Sequence, residues 1–190
     1  LKPHASRALN GWLDGCDPEE LDALGVLAPA IALRALVRAM TAADRAGPGD
    51  AADAEAHLAL ARRIAAEPPA PRLVAVGGLS GTGKSTLARR LAPVLPGPAG
   101  ALVVRSDIER KAMLGVDPFE RLPEPAYSPE MNAKVAARLT DKAARALEQG
   151  QAVIVDAVHA RAAERDALET LAGRARSEEH TSELQSLLII

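Results

Sequence analysis

The stretch Leu73-Val74-Ala75-Val76, followed by Gly77 and Gly78, two more glycines at 81 and 83, and then Lys84-Ser85, constrains the fold more than any other part of the chain. A short aliphatic run that ends in a glycine-rich loop and continues into helix-forming residues is one half of a βαβ unit. Two further Val/Ile clusters, at 101–105 and 152–155, are set off by Ala-, Leu-, Arg- and Glu-rich stretches that favour helix. Continuously apolar strands alternating with helices predict a parallel sheet covered on both faces. Helices are expected over 84–95, broken near the end by Pro93 and Pro96, and over 106–114, 130–148 and 160–171. Residues 117–129 hold four prolines with Phe119 and Tyr127, which predicts a loop with one or two packed aromatic anchors. The core must be light, because the chain has 41 alanines against three aromatics, Trp12, Phe119 and Tyr127.

Gly78-Leu79-Ser80-Gly81-Thr82-Gly83-Lys84-Ser85 satisfies the phosphate-loop pattern of a glycine, four residues, then Gly-Lys-Ser/Thr. It sits between a strand and a helix, so successive backbone N–H groups and the helix dipole would converge on one anion. Gly81 and Gly83 permit the loop's backbone, Gly78, Ser80, Thr82 and Thr86 line it, Lys84 would reach the β- and γ-phosphates, and Ser85 would ligand Mg²⁺. Thr86 reads equally well as a phosphate contact or as the first turn of the helix. Asp107 follows the second strand, with Arg105 beside it. Ser106 and Glu109 read as a capping box, which leaves the Asp107 carboxylate free for chemistry. Asp156, at the tip of the third strand, is placed to hold Mg²⁺ with Ser85. The residue after it is Ala157, where motor-type NTPases carry Glu, which favours transfer to a bound hydroxyl over mechanical ATP hydrolysis. His159, Arg161 and Arg165 follow on the same loop and helix; each reads first as a solvated side chain.

These motifs resemble the P-loop kinases of small molecules and polynucleotide 5′ ends, among them gluconate kinase, shikimate kinase and the polynucleotide kinases. The resemblance implies an α/β fold with a kinase-like P-loop NTPase sheet, ATP and Mg²⁺ as cofactors, and Asp107 as the group that orients or deprotonates an acceptor hydroxyl. Lys84 and Arg105 would complete the catalytic set. The acceptor is expected to be a small molecule, with a nucleic-acid 5′ end as the other candidate. A nucleotide-binding regulatory module without turnover, or an inactive gene fragment, are the alternative readings. The segment from 72 onward looks most like the ATP-binding half of a two-part protein whose first part is an aminoglycoside-phosphotransferase-like domain.

On that basis residues 1–66 are expected to be the all-α end of the preceding domain, with helices over 18–46, broken at Gly25 and Pro29, and over 51–66. Residues 67–71 read as a stiff proline linker and 72–175 as an incomplete nucleotide-binding domain. Residues 176–190 switch in composition and match the translation of a sequencing adapter, so they are set outside the fold. The chain also begins without Met, and strands 4 and 5 of the resembled sheet order 2-3-1-4-5, its lid and its adenine-gripping loop are not found in it. A fragment is therefore expected, with an open edge on the first strand, poor solubility and weak ATP binding.

A formal net charge of −2 argues against binding nucleic acid or anionic membrane by bulk positive charge. The single Cys16 excludes an internal disulfide and fits a reducing cytoplasm. The longest apolar run, near 24–33, is about ten residues, short of the roughly 20 that cross a bilayer.

Overall fold

The computed structural model describes residues 2–45, 47–66, 71–159, 161–178 and 188–189, with side chains described as far as Arg174. The chain forms two compact units: residues 1–22 with 70–190, and residues 23–69.

The larger unit is built on a parallel sheet in the order β2-β3-β1-β4. Its strands are β1 (Leu73–Val76), β2 (Leu102–Arg105), β3 (Val153–Asp156) and the two-residue β4 (Leu188–Ile189). β1 and β2 each pair in register with β3, so Val76, Arg105 and Asp156 end level with one another. That alignment gathers the strand tips, and with them the loops that carry chemistry, at one end of the sheet. The expected α/β sheet with covering helices is therefore present.

Strand residues are buried on both faces, as their unbroken apolar runs require. Val74, Val76, Val103 and Ile154 pack with Ala88 of α4 (Lys84–Leu91) and Ala92 of the following 3-10 turn (Ala92–Val94). Contacts on α6 (Pro129–Glu148) join β2 and β3 to the other layer, with α5 (Ser106–Leu114) packed against α6. The core is aliphatic throughout: its buried apolar residues are Ala, Val, Leu and Ile. The aromatics lie outside it, contrary to the anchoring role expected for the proline-rich loop. Phe119 is 97% exposed, and Tyr127 lies half-exposed beside Arg110.

Helix α1 (Lys2–Leu13) belongs with the sheet, which moves the expected boundary at residue 66. Its Asn10 does what a further strand would do at the free edge of β2. The Asn10 carboxamide oxygen accepts from the Val103 N–H at 2.6 Å, and its amide donates to the Ala101 carbonyl at 3.1 Å. An exposed strand edge is thus closed by one side chain.

The opposite edge also differs from expectation. Leu188 and Ile189 pair in parallel with Val74 and Ala75, so β1 has a neighbour on both sides over those residues. α7 (Ala162–Glu178) likewise runs three residues into the segment set outside the fold. An edge with unpaired N–H and C=O groups accepts a short aliphatic run readily. Residues 179–187 of that segment, and linker residues 67–70, lie outside the described residues.

The smaller unit is a helical hairpin of α2 (Leu27–Arg45) and α3 (Asp50–Ala66). A 3-10 helix, Pro18–Val26, runs directly into α2, so the expected breaks at Gly25 and Pro29 are absent: the helix changes type after Val26, and Pro29 sits in the first turn of α2, where its missing N–H has no intrahelical partner to lose. Pro18–Arg45 forms 28 helical residues that are, by length and composition, long and apolar enough to cross a membrane. The estimate from the longest uninterrupted apolar run is revised accordingly: alanines carry the apolar average past Arg34.

Candidate functional site

The glycine loop owes its shape to residues without Cβ. Gly78, Gly81 and Gly83 have φ of 135°, 81° and 88°, the region that favours glycine. Gly78 is the tightest, since a Cβ there would stand 3.2 Å from the Thr82 Oγ1. Gly83 occupies the cap position of α4, and its carbonyl accepts from the Leu87 N–H at 3.0 Å. No side chain caps α4, so its first N–H groups face the loop. Lys84 curls back over the loop, donating to the Leu79 carbonyl at 2.5 Å, and the Thr82 hydroxyl donates to the same carbonyl at 2.8 Å. Ser80, Gly81, Gly83, Lys84, Ser85 and Thr86 all line one cleft of about 1510 Å³.

Ser85 and Asp156, the two residues expected to hold Mg²⁺, lie in direct contact. The Ser85 hydroxyl donates to the Asp156 carboxylate at 2.6 Å, although the two residues are 71 positions apart. Asp156 is buried at the end of β3, and the Arg105 Nε lies 3.7 Å from the same carboxylate oxygen. That Nε is buried and has no hydrogen-bond partner. Arg105 therefore sits against the proposed metal carboxylate, with its guanidinium facing both that group and the cleft.

Asp107 also lines the cleft, but it is not free. Its carboxylate pairs with Lys111 at 3.0 Å, one helical turn along α5. The expected capping box is absent as well. Arg105 holds the cap position of α5 without a side-chain bond, and Ser106 is already helical. Glu109 points the other way and is buried, accepting from Lys142 Nζ at 2.6 Å and Arg138 Nε at 2.8 Å. The buried Lys142 and the partly buried Arg138 outcompete a surface backbone N–H for that carboxylate.

Arg110 is the cleft residue that sequence reading missed. It is buried, donates to the Ala126 carbonyl at 2.8 Å and lies 4.8 Å from the centre of the Tyr127 ring. Burial pushes its guanidinium below the ordinary range, opposed by Tyr127 and Asp107. Among the described residues no carboxylate lies within ion-pair distance of Arg110. The signal was available: Arg110 stands three residues after Asp107, on the same face of one helix.

His159 and Arg161 lie along the remaining wall, with Arg165 behind His159. His159 is buried rather than solvated, adopts φ of 51°, and its ring contacts the Val155 carbonyl at 3.3 Å. Arg165 donates to the His159 carbonyl at 2.8 Å, which makes it a brace for this loop, and Arg161 is exposed at the cleft mouth.

The donor set of Ser85 and Asp156 suits a hard divalent cation, which takes oxygen ligands. Among the described residues no group of three or more His, Cys, Asp or Glu could hold a metal. A Mg²⁺ ion here would complete its shell with nucleotide oxygens and water.

Comparisons with curated proteins and with solved structures return no match. A family model described as an AAA domain matches residues 73–184, more than half of the chain. That match covers β1, the glycine loop, the Ser85–Asp156 contact and the Asp107 helix in one segment, and the chain belongs to this AAA domain family as a P-loop, nucleotide-binding domain of kinase type.

Proposed function

We propose that the domain transfers the γ-phosphoryl group of ATP to a hydroxyl of a small molecule. The observation that carries this reading is that Asp107, Arg105 and Arg110 line the same cleft as the glycine loop and the Ser85–Asp156 pair. Phosphoryl transfer asks a protein mainly for positioning and for charge stabilisation.

Mg²⁺, when bound, would neutralise charge on the β- and γ-phosphate oxygens. Ser85 and Asp156 are the residues to hold it, which in the resting cleft hydrogen-bond to each other. Lys84 leaves the Leu79 carbonyl to reach the phosphates, while the loop N–H groups cradle them. The acceptor O–H gives its proton to Asp107 as its oxygen bonds to the γ-phosphorus; the bond from that phosphorus to the β,γ-bridging oxygen breaks, and ADP leaves with the electron pair. Arg105 and Arg110 supply positive charge beside the acceptor. Ala157, where a water-polarising Glu would stand, supports transfer to a bound hydroxyl over hydrolysis.

An Asp107→Ala substitution tests this reading. It should reduce transfer by about 10²-fold or more while leaving nucleotide affinity in place. Unchanged transfer would overturn the role of Asp107, and a wild type that binds nucleotide without turnover would instead favour a nucleotide-binding module whose ATP state regulates another domain.

A further inference from the structure

We propose that Lys111 is a positioning residue for the acceptor side of this site: it holds the Asp107 carboxylate in the cleft and fastens the adjoining proline-rich loop. The proposal rests on the reading of Asp107 as the group that meets the acceptor hydroxyl.

Lys111 is not an ordinary surface lysine in an i, i+4 pair. Its side chain is 11% exposed, against 48% for Asp107. An exposed pair of this spacing contributes little, and burying the ammonium costs more than such a pair returns unless it is well bonded. The ammonium has two acceptors of different origin. One is the Asp107 carboxylate at 3.0 Å, and the other is the Pro118 carbonyl at 2.8 Å, past the left-handed turn at Gly115 that ends α5. Lys111 is thus a bridge between the candidate base and the loop.

The neighbouring Arg110 makes the second fastening of that loop, to the Ala126 carbonyl. Residues 115–128, which bring Tyr127 to the cleft wall, are therefore held to α5 at both ends by adjacent side chains. Arg110 and Asp107 line the cleft, whereas Lys111 does not, so Lys111 acts through them and not on a substrate directly. Engaging one carboxylate oxygen fixes the Asp107 rotamer and leaves the other oxygen to receive the hydroxyl proton. Misplacing a catalytic group by about 1 Å costs up to 10²-fold in rate, which sets the scale of the effect.

The test uses the full chain with Lys111→Met, Lys111→Arg and Asp107→Asn. Mg·ATP affinity is measured by calorimetry. ADP formation is followed with gluconate, kanamycin, a 5′-hydroxyl oligonucleotide, or water alone as acceptor. Lys111→Met should lower kcat by about 10- to 100-fold for whichever acceptor the wild type uses, with Mg·ATP affinity unchanged and only a small fall in thermal midpoint, since the half-exposed Asp107 carboxylate stays solvated. Lys111→Arg, which keeps the charge, should recover most of that loss. Trypsin should also cut faster after Arg121, an exposed loop residue, in the Met variant.

Wild-type turnover in Lys111→Met, with Asp107→Asn impaired, would overturn the role of Lys111 alone. Faster turnover would mean that the pair restrains Asp107 and would overturn it too. A parallel loss of stability and ATP affinity would make Lys111 merely structural. Full activity in Asp107→Asn, or a wild type that binds Mg·ATP yet forms no ADP with any acceptor, would overturn the underlying reading together with the proposal.

Discussion

Replacing Glu109 with Leu should destabilise the sheet-containing unit far more than replacing its partner Lys142 with Met, and the difference follows from who remains paired. Glu109 is 2% exposed and holds two cations, Lys142 Nζ at 2.6 Å and Arg138 Nε at 2.8 Å. Lys142 has a side chain 2% exposed, and its other acceptor is the Cys16 carbonyl at 3.0 Å. Removing Glu109 strands that buried ammonium, which costs about 3–5 kcal/mol. Removing Lys142 leaves Glu109 its charged bond to Arg138, so the cost is that of one charged hydrogen bond, about 1.5–3 kcal/mol. The double variant removes both buried charges, and Arg138 keeps Asp17 at 3.0 Å and the Cys16 carbonyl at 2.9 Å. Its cost should not exceed that of Glu109→Leu alone.

The unit has about 140 residues, so an unfolding entropy of about 2.1 cal/mol/K per residue gives roughly 0.3 kcal/mol/K. The Glu109→Leu midpoint should therefore fall by about 10–17 °C and the Lys142→Met midpoint by about 5–10 °C in melts followed by circular dichroism. Equal shifts for the two single variants, or a double variant whose loss is their sum, would refute the coupling of these charges.

Two other substitutions have local and countable consequences. Gly100→Ala places a Cβ at φ of +80°, against the Ala92 carbonyl oxygen and 2.9 Å from the Pro93 Cα, so the chain should lose at least about 1–3 kcal/mol, read as a lower denaturant midpoint. Asn10→Ala should cost about 1–3 kcal/mol and speed hydrogen exchange at the Val103 amide, the donor it strips of its partner; unchanged exchange there would contradict the edge-closing role.

What the sequence made legible was local. β1 (Leu73–Val76) and α5 (Ser106–Leu114) fall where their residue patterns place them, because an aliphatic run before glycine and a polar start to an amphipathic helix are signals within a few residues. The Ser85–Asp156 contact was also readable, since a lysine-serine pair after the loop and an acid at a strand tip have fixed positions in one architecture.

The rest depends on partners far along the chain. Nothing near Asn10 announces that it will bond to residues 91 and 93 positions away. The misreading of Glu109 arose because spacing from Ser106 suggests a cap, whereas its partners sit on another helix. Lys142 did leave a trace: it interrupts the apolar stripe of Val135, Leu139, Ala143 and Ala146 on α6, and a charge on a buried face calls for a buried counter-charge. β4 rests on sheet pairing of a two-residue run, which carries no periodic signal of its own.

The most direct test of the account is calorimetric titration of ATP into the wild-type chain and an Asp156→Asn variant, each with and without Mg²⁺. Mg²⁺ should tighten wild-type binding by about tenfold or more, equivalent to about 1.4 kcal/mol, and Asp156→Asn should lose that gain while keeping the Mg²⁺-free affinity. Binding that is absent, or that is the same with and without Mg²⁺ in both proteins, would contradict it.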